Sequence, residues 1–162
     1  MTGKCIRSRA PAASSSAVRR VMQANRSWDT GPEVILRRML QAAGVRFRKD
    51  FCPVPALRCK ADIVFTRQKL CIFVDGCFWH RCPIHFQLPK TNSAWWDEKT
   101  LATVDRDTMQ ARKLRAAGWT VIRVWEHQLE ARNLKHTFVG LLGRLRRKIG
   151  HRPPLCPDKA KQ

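Results

Sequence analysis

Residues 60–80 read KADIVFTRQKLCIFVDGCFWH. Two runs rich in branched and aromatic apolar residues, ADIVFT and KLCIFVDG, are separated by the polar string TRQK, which predicts a strand, a turn and a second strand at the centre of a sheet. Val64 and Ile72 supply its buried face. An acid opens the first strand (Asp62) and another closes the second (Asp75), so hairpin pairing brings both to one edge. Two acids at adjacent strand ends can hold magnesium against a scissile phosphate. Strand-end acids also serve as plain turn residues, and both readings are open at this stage.

Working outward, TGPE before the hairpin is a candidate capping box, with Thr30 as N-cap and Glu33 at N3. The following VILRRMLQAAG predicts a helix with Ile35, Leu36, Met39, Leu40 and Ala43 on one stripe and Gly44 as its stop. VRFRKDF then reads as another strand. After the hairpin, residues 77–92 carry a Cys/His cluster and two prolines and are expected to form an irregular loop. A second helix is predicted from Ser93 to Ala117, with Leu101, Val104, Ala111 and Leu114 at helical spacing and Gly118 as its end. WTVIRVWE is a further core strand. A terminal basic helix follows, with Leu134, Phe138, Leu141, Leu145 and Ile149 on one face. The order helix, three strands, helix, strand, helix describes one α/β domain with a central mixed β-sheet flanked by helices. That domain is expected over residues 17–150. A disordered start (1–16) precedes it and a loose basic tail (151–162) follows, while VRRVMQANRSW, within 17–29, suits an arm lying on a polyanion.

Charge narrows the partners. The chain has 162 residues with 32 Lys+Arg against 12 Asp+Glu, a net +20 and a pI near 11.0, so nucleic acid leads the candidates. An anionic membrane surface would attract the same charge. The longest clean apolar run, Leu70 to Val74, falls far short of the roughly 20 residues a membrane span needs. A ribosomal or packaging protein is the plain alternative for a basic chain, while six tryptophans with clear periodic segments argue against a mere basic tail. The seven cysteines, Cys5, Cys52, Cys59, Cys71, Cys77, Cys82 and Cys156, are odd in number and unevenly spaced. Metal binding plus free thiols fits them better than a disulfide framework, and the expected setting is a reducing, cytoplasmic one.

Three constellations carry chemistry. Cys77, Cys82 and His85 have the spacing C-x4-C-x2-H, and His127 follows a strand end from which it could reach back, completing a structural zinc set. Buried thiols with a surface histidine are the rival reading. His80 could deprotonate an attacking water, or be a lone surface histidine. Glu33 has a plain role as a cap and Asp107 as a solvated helix position. Phe78 and Trp79 in a polar loop, with Trp95 and Trp96 at a helix start, are either core or wedges between base steps.

VDGCFWHRCPIH, preceded by KADIVF and followed by RDTMQARKLRAAGWTVIRVWEH, resembles the very short patch repair (Vsr) DNA mismatch endonucleases. The likeness runs from about Val18 to Leu129 and includes MQANRSWDTGPE, which speaks against reading the Ser/Ala/Arg-rich start as a transit peptide. It implies a PD-(D/E)XK restriction-endonuclease-like fold. It further implies Mg2+-dependent cleavage of one strand of double-stranded DNA, 5′ of the thymine in a T:G mismatch left by 5-methylcytosine deamination. On that resemblance Asp62 and the backbone carbonyl of Val74 would hold magnesium, and His80 would be the general base. Glu33, Asp75 and Asp107 would hold water around the metal or orient His80. Cys77, Cys82, His85 and His127 would bind structural Zn2+, and Phe78, Trp79 and Trp96 would enter the base stack. The enzyme would be a nucleoid-associated monomer with mismatch-repair proteins as partners. Two departures stand out: Ala61 precedes Asp62 where the superfamily has proline, and Cys77 stands where its nuclease lysine would be. Charge neutralisation would then fall to magnesium and His80, with Arg37, Arg38, Arg112, Lys113 and Arg115 holding the DNA backbone. A non-catalytic zinc-stabilised DNA-binding protein and a restriction-like nuclease with another target are the rival readings.

Overall fold

A computed structural model describes residues 11–13, 15–24 and 28–149. Helices α1 (Ser16–Ala24) and α2 (Gly31–Ala42) precede strands β1 (Arg48–Phe51), β2 (Ala61–Phe65) and β3 (Leu70–Asp75). Helix α3 (Ser93–Ala116), strand β4 (Thr120–Trp125) and helix α4 (Ala131–Ile149) follow. The four strands form one sheet in the order β1-β2-β3-β4. The β1/β2 and β2/β3 pairs are antiparallel and β3/β4 is parallel, so the sheet is mixed, as the sequence predicts.

The alternation of the central strands divides the core into two layers. Ile63, Phe65, Leu70, Ile72, Ile122 and Val124 face α2 and α4, where Leu36, Leu40, Leu141 and Leu145 close over them. On the other face Val64 and Cys71 pack with Ala61, Cys59 and Leu114 of α3. Cys59 and Cys71 are free, buried thiols, and burial pushes the Cys71 thiol up to about 12. The helix stops are where glycine was expected. Gly44 and Gly118 take left-handed φ values of 72° and 80°, and Val45 N–H to Leu40 O (2.9 Å) and Trp119 N–H to Leu114 O (3.0 Å) close both helix ends in the Schellman pattern.

Several expectations are corrected. Part of the arm is a helix, α1, which begins at Ser16 inside the expected disordered start; none of its residues is buried. Residues 1–10 and 150–162 lie outside the described residues. The inward stripe of α2 is Glu33, Leu36, Arg37 and Leu40. Ile35 is 39% exposed and Ala43 is exposed too, because the 33-36-37-40 spacing puts two charged residues toward the sheet edge and turns Ile35 outward. Thr30 is the N-cap, yet its hydroxyl donates to the Glu33 carboxylate (2.7 Å) instead of accepting a backbone N–H. In α3 Leu101 is 45% exposed, and the buried stripe is Thr100, Thr103, Ala111 and Leu114. The first half of that stripe is polar because this part of the helix covers a charged site.

Leu36 is fully buried at the point where α2 meets the sheet. Leu36→Ala is expected to destabilise the fold by about 2–5 kcal/mol through lost burial and the cavity left behind; an unchanged urea midpoint would contradict this packing.

Candidate active site

The parallel strands β3 and β4 pair in register up to Asp75 opposite Trp125. Strand alternation turns Asp75 and Arg123 to the α3 side, and there α3 presents Asp107. Arg123 holds Asp75 bidentately, Nε to Oδ2 at 2.5 Å and Nη2 to Oδ1 at 2.6 Å. The same Nη2 donates to Asp107 Oδ2 at 3.1 Å. His80, on the loop after β3, places Nδ1 2.5 Å from that Asp107 oxygen. With Arg123 able only to donate, the shared oxygen orders the ring: Nδ1–H donates to Asp107 and Nε2 is left as the basic nitrogen. Burial works to raise the Asp107 carboxyl, but the His80 hydrogen bond and the charges of His80 and Arg123 outweigh it and hold it below its ordinary range. Burial likewise opposes the Arg123 charge, and its bonds to Asp75 and Asp107 more than compensate.

Arg123 was not singled out from the sequence. Its signal is there, a lone charge inside the apolar run TVIRVW, and such a charge in a core strand needs a partner. Arg37, by contrast, was assigned to the DNA backbone and is corrected. It is 8% exposed, hydrogen-bonded to Asp29 and 3.7 Å from Glu33 Oε2, so α2 directs it inward.

Asp62 lies beyond the last β2/β3 pair, Ile63 opposite Ile72, and its Oδ2 accepts the Val74 N–H at 2.7 Å. A side chain thus continues the ladder where the backbone stops. Burial raises the Asp62 carboxyl to about 6, against the lowering effect of the Val74 N–H, and the charges of Glu33, Asp50 and Asp75 push the same way as burial. One oxygen each of Glu33, Asp50 and Asp62 lies within 4.8 Å of the others. Asp50 is a second residue the sequence reading passed over. Glu33 Oε2 is buried without a hydrogen-bond partner, a cost that an all-oxygen donor set of this kind removes by binding a hard divalent cation.

The loop after β3 also carries the Cys/His set. Ligand atoms of Cys77, Cys82, His85 and His127 all lie within 4.8 Å of one another. Cys77 Sγ is 3.1 Å from His127 Nδ1, and Cys82 Sγ is 3.6 Å from that nitrogen and 3.8 Å from His85 Nδ1. Metal–ligand bonds of about 2.0–2.3 Å at tetrahedral angles span separations of just this size, so the set suits zinc. Glu126, next to His127, accepts the Cys77 N–H at 2.7 Å and ties the two loops together. Burial pushes the Cys77 thiol up to about 11 and lowers His127, with the neighbouring His85 adding to the latter. A neutral imidazole is ready to ligate, while the thiol needs a cation to give up its proton.

The aromatics form one cluster. Phe78 lies edge-on to Trp79 (5.2 Å) and Trp96 (5.3 Å), Trp79 and Trp96 are 5.9 Å apart, and Trp95 packs on Trp96 at 4.6 Å. Trp79 is 36% exposed and Phe78 and Trp96 are half-buried, so the cluster is supported from behind and open in front.

The fold is α/β, a four-stranded mixed sheet between helices, with acids and a histidine gathered at one strand-end edge. The family model described as "DNA mismatch endonuclease Vsr" matches residues 13–85. The chain is 46% identical to the type II nicking enzyme V.NaeI of Lentzea aerocolonigenes over 120 residues, 73% of this chain and 72% of that one. It is 41% identical to the type II nicking enzyme V.XorIIP of Xanthomonas oryzae pv. oryzae, covering 68% and 80%. To the DNA mismatch endonuclease Vsr of Escherichia coli K12 it is 34% identical, covering 68% and 70%. The chain belongs to the Vsr family of DNA endonucleases.

Between pH 3.8 and about 6 the folded chain keeps a proton on Asp62 that the unfolded chain has released, so this group's contribution to stability falls as pH rises through that window. Asp62→Asn keeps an oxygen for the Val74 N–H and removes the charge. In chelator-treated protein it is expected to stabilise by roughly 2–3 kcal/mol at neutral pH, at about 1.4 kcal/mol per pKa unit, and the gain should vanish near the ordinary carboxylate pKa of about 4. Denaturation of both proteins across that pH range measures it; a pH-independent difference would contradict the buried-carboxylate origin.

Proposed function

We propose that this endonuclease nicks one DNA strand 5′ of the thymine in a T:G mismatch arising from 5-methylcytosine deamination, and so initiates very short patch repair. The observation that carries the reading is that one short loop holds both His80, ordered by Asp107 at 2.5 Å, and the Phe78–Trp79 edge of the open aromatic cluster. Chemistry and inspection of the base stack are thereby placed side by side. The DNA mismatch endonuclease among its relatives supports a mismatched duplex as the substrate.

In this reading His80 Nε2 takes the proton of the attacking water, and Asp107 and Arg123 keep the ring in the required tautomer. Asp75, pinned by Arg123, acts through that pair. Asp62 and the Val74 carbonyl would hold Mg2+, with Glu33 beside them. The chemistry Mg2+ supplies there when bound is neutralisation of charge at the scissile phosphate. Cys77, Cys82, His85 and His127 would hold Zn2+ as a structural ion that fixes the loop. Phe78, Trp79 and Trp96 would enter the stack beside the mismatch. Exposed Arg38, Arg112, Lys113 and Arg115 suit phosphate contacts with strong salt dependence, and α1, with Arg19 and Arg20 and no buried residue, suits an arm on the duplex. Such an enzyme acts as a monomer on the nucleoid, in a cytoplasm where its thiols stay reduced and mismatch-repair proteins are at hand.

Among the described residues no helix is long and apolar enough to cross a membrane. The nicking enzymes among the relatives keep a second reading in view, a nick at a target other than T:G. Paired duplexes, alike except for T:G or T:A at a methylation-type site, are expected to be nicked only at T:G with Mg2+ present; cleavage of both would move the protein to that second reading. His80→Ala should lower the nicking rate roughly a hundredfold or more with the melting temperature kept, and wild-type activity in that variant would remove His80 from the mechanism. Elemental analysis is expected to find zinc at one ion per chain, lost in Cys82→Ser together with thermal stability; zinc-free, equally stable wild-type protein would refute the structural ion.

A further inference from the structure

Strands β1 and β2 pair with Lys49 opposite Ile63 and Phe51 opposite Ala61. One step between these pairs stand Asp50 and Asp62, so two carboxylates face each other across an antiparallel ladder. Like charges directly opposite destabilise such a ladder. Asp50 is moreover at φ 47°, left-handed, within a strand, a conformation uncommon outside glycine that aspartate and asparagine adopt more readily than other residues. From the other side α2 brings Glu33, 6% exposed, whose Oε2 is buried with no hydrogen-bond partner. Its nearest cation, Arg37 Nη1 at 3.7 Å, is beyond hydrogen-bonding distance, and Arg37 is itself engaged by Asp29. Lys49 also turns to Asp29, at 3.6 Å.

The three carboxylates converge to within 4.8 Å. Oxygens in neighbouring and opposite positions around a divalent cation, at bond lengths of about 2.0–2.6 Å, are separated by roughly 3–5 Å. We propose that Asp50 is a third carboxylate of the divalent-cation site, facing Asp62 across the β1/β2 ladder with Glu33 closing the third side. This rests on the reading of Asp62 as a cation ligand and extends the site onto β1. It explains why like charges, an unpartnered buried oxygen and a left-handed aspartate coincide at one place. It also gives the site a ligand on a strand that the catalytic loop does not touch. Each carboxylate added to a site of this type strengthens its hold on Ca2+ as well as Mg2+.

The test reads cation binding without DNA and without turnover. Melting temperatures of the full-length wild type, Asp50→Asn, Asp50→Gly and Asp62→Asn are followed while MgCl2 or CaCl2 is titrated at ionic strength held constant with NaCl. Glycine keeps the left-handed backbone at no steric cost, which guards against a variant that merely fails to fold. The wild type is expected to gain several degrees. Both Asp50 variants should start as stable as the wild type or more so, and need roughly tenfold more cation for half the gain, as expected for one lost carboxylate. Wild-type midpoints in both Asp50 variants, or no cation response in the wild type, would overturn the proposal. Nicking of the T:G duplex by the same wild-type preparation tells the two failures apart. With nicking intact and Asp62→Asn unresponsive to cation, only Asp50's part is lost; without T:G nicking, the functional reading fails whatever Asp50 does.

Discussion

Everything at the site depends on the in-register parallel pairing of β3 with β4. Their ladder runs from Leu70 opposite Thr120 to Asp75 opposite Trp125 without a slip, so both strands end at one level. The loops that follow, beginning at Gly76 and Glu126, leave from the same edge. That is why Glu126 can accept the Cys77 N–H and why His127 can meet Cys77 and Cys82 from across the sheet. A shift of one residue in β4 would turn Arg123 to the α2/α4 face and put a guanidinium into the layer of Ile63, Ile72 and Val124. Asp75 and Asp107 would then lose their shared cation. The register is held because Ile122 and Val124, 8% and 4% exposed, would be moved out of the core by the same slip.

The electrostatics follow from that geometry. A chain of net charge +20 presents a surface that draws in a polyanion, yet Glu33, Asp50, Asp62, Asp75 and Asp107 are all turned toward this edge. They divide into two groups. Asp75 and Asp107 are answered from within by Arg123 and His80. Glu33, Asp50 and Asp62 are not fully answered: Asp62 is raised to about 6 chiefly by burial and Glu33 keeps an orphaned oxygen. An internal guanidinium settles the first group, whereas on the proposed reading the second would be completed by a small ion.

Much of this was legible in the sequence because it rests on local pattern. The hairpin, the helix stops at Gly44 and Gly118, the mixed sheet and the Cys/His set all depend on short-range spacing or on a strand-end histidine. What was not legible depends on pairing between segments distant in sequence. Nothing in VRFRKDF says that Asp50 will stand across from Asp62, because that requires the β1/β2 register. Arg123 reads from the sequence as part of a strand, because its partners Asp75 and Asp107 lie 48 and 16 residues away along the chain. Leu101 and Ile35 misled for a common reason: periodicity gives the angular width of a stripe, but polar residues such as Thr100 and Glu33 occupy the buried side when a helix covers a charged site.

The loop from Gly76 to His85 then sets how recognition and chemistry are joined. Its two ends are fixed, one by β3 and the other by the Cys/His set, and its backbone is drawn tight by Cys82 N–H to Cys77 O at 2.9 Å and His80 N–H to Gly76 O at 3.1 Å. Phe78 and Trp79 therefore cannot shift far without moving His80. Pushing side chains into a base stack costs a few kcal/mol per step, and least where pairing is already defective. On the proposed reading, a duplex that yields to the aromatics also brings its phosphate to Nε2 of His80, while a well-paired duplex resists both at once. Discrimination then needs no separate checkpoint, because the rigidity of one loop makes distortion of the DNA and alignment of the base a single event.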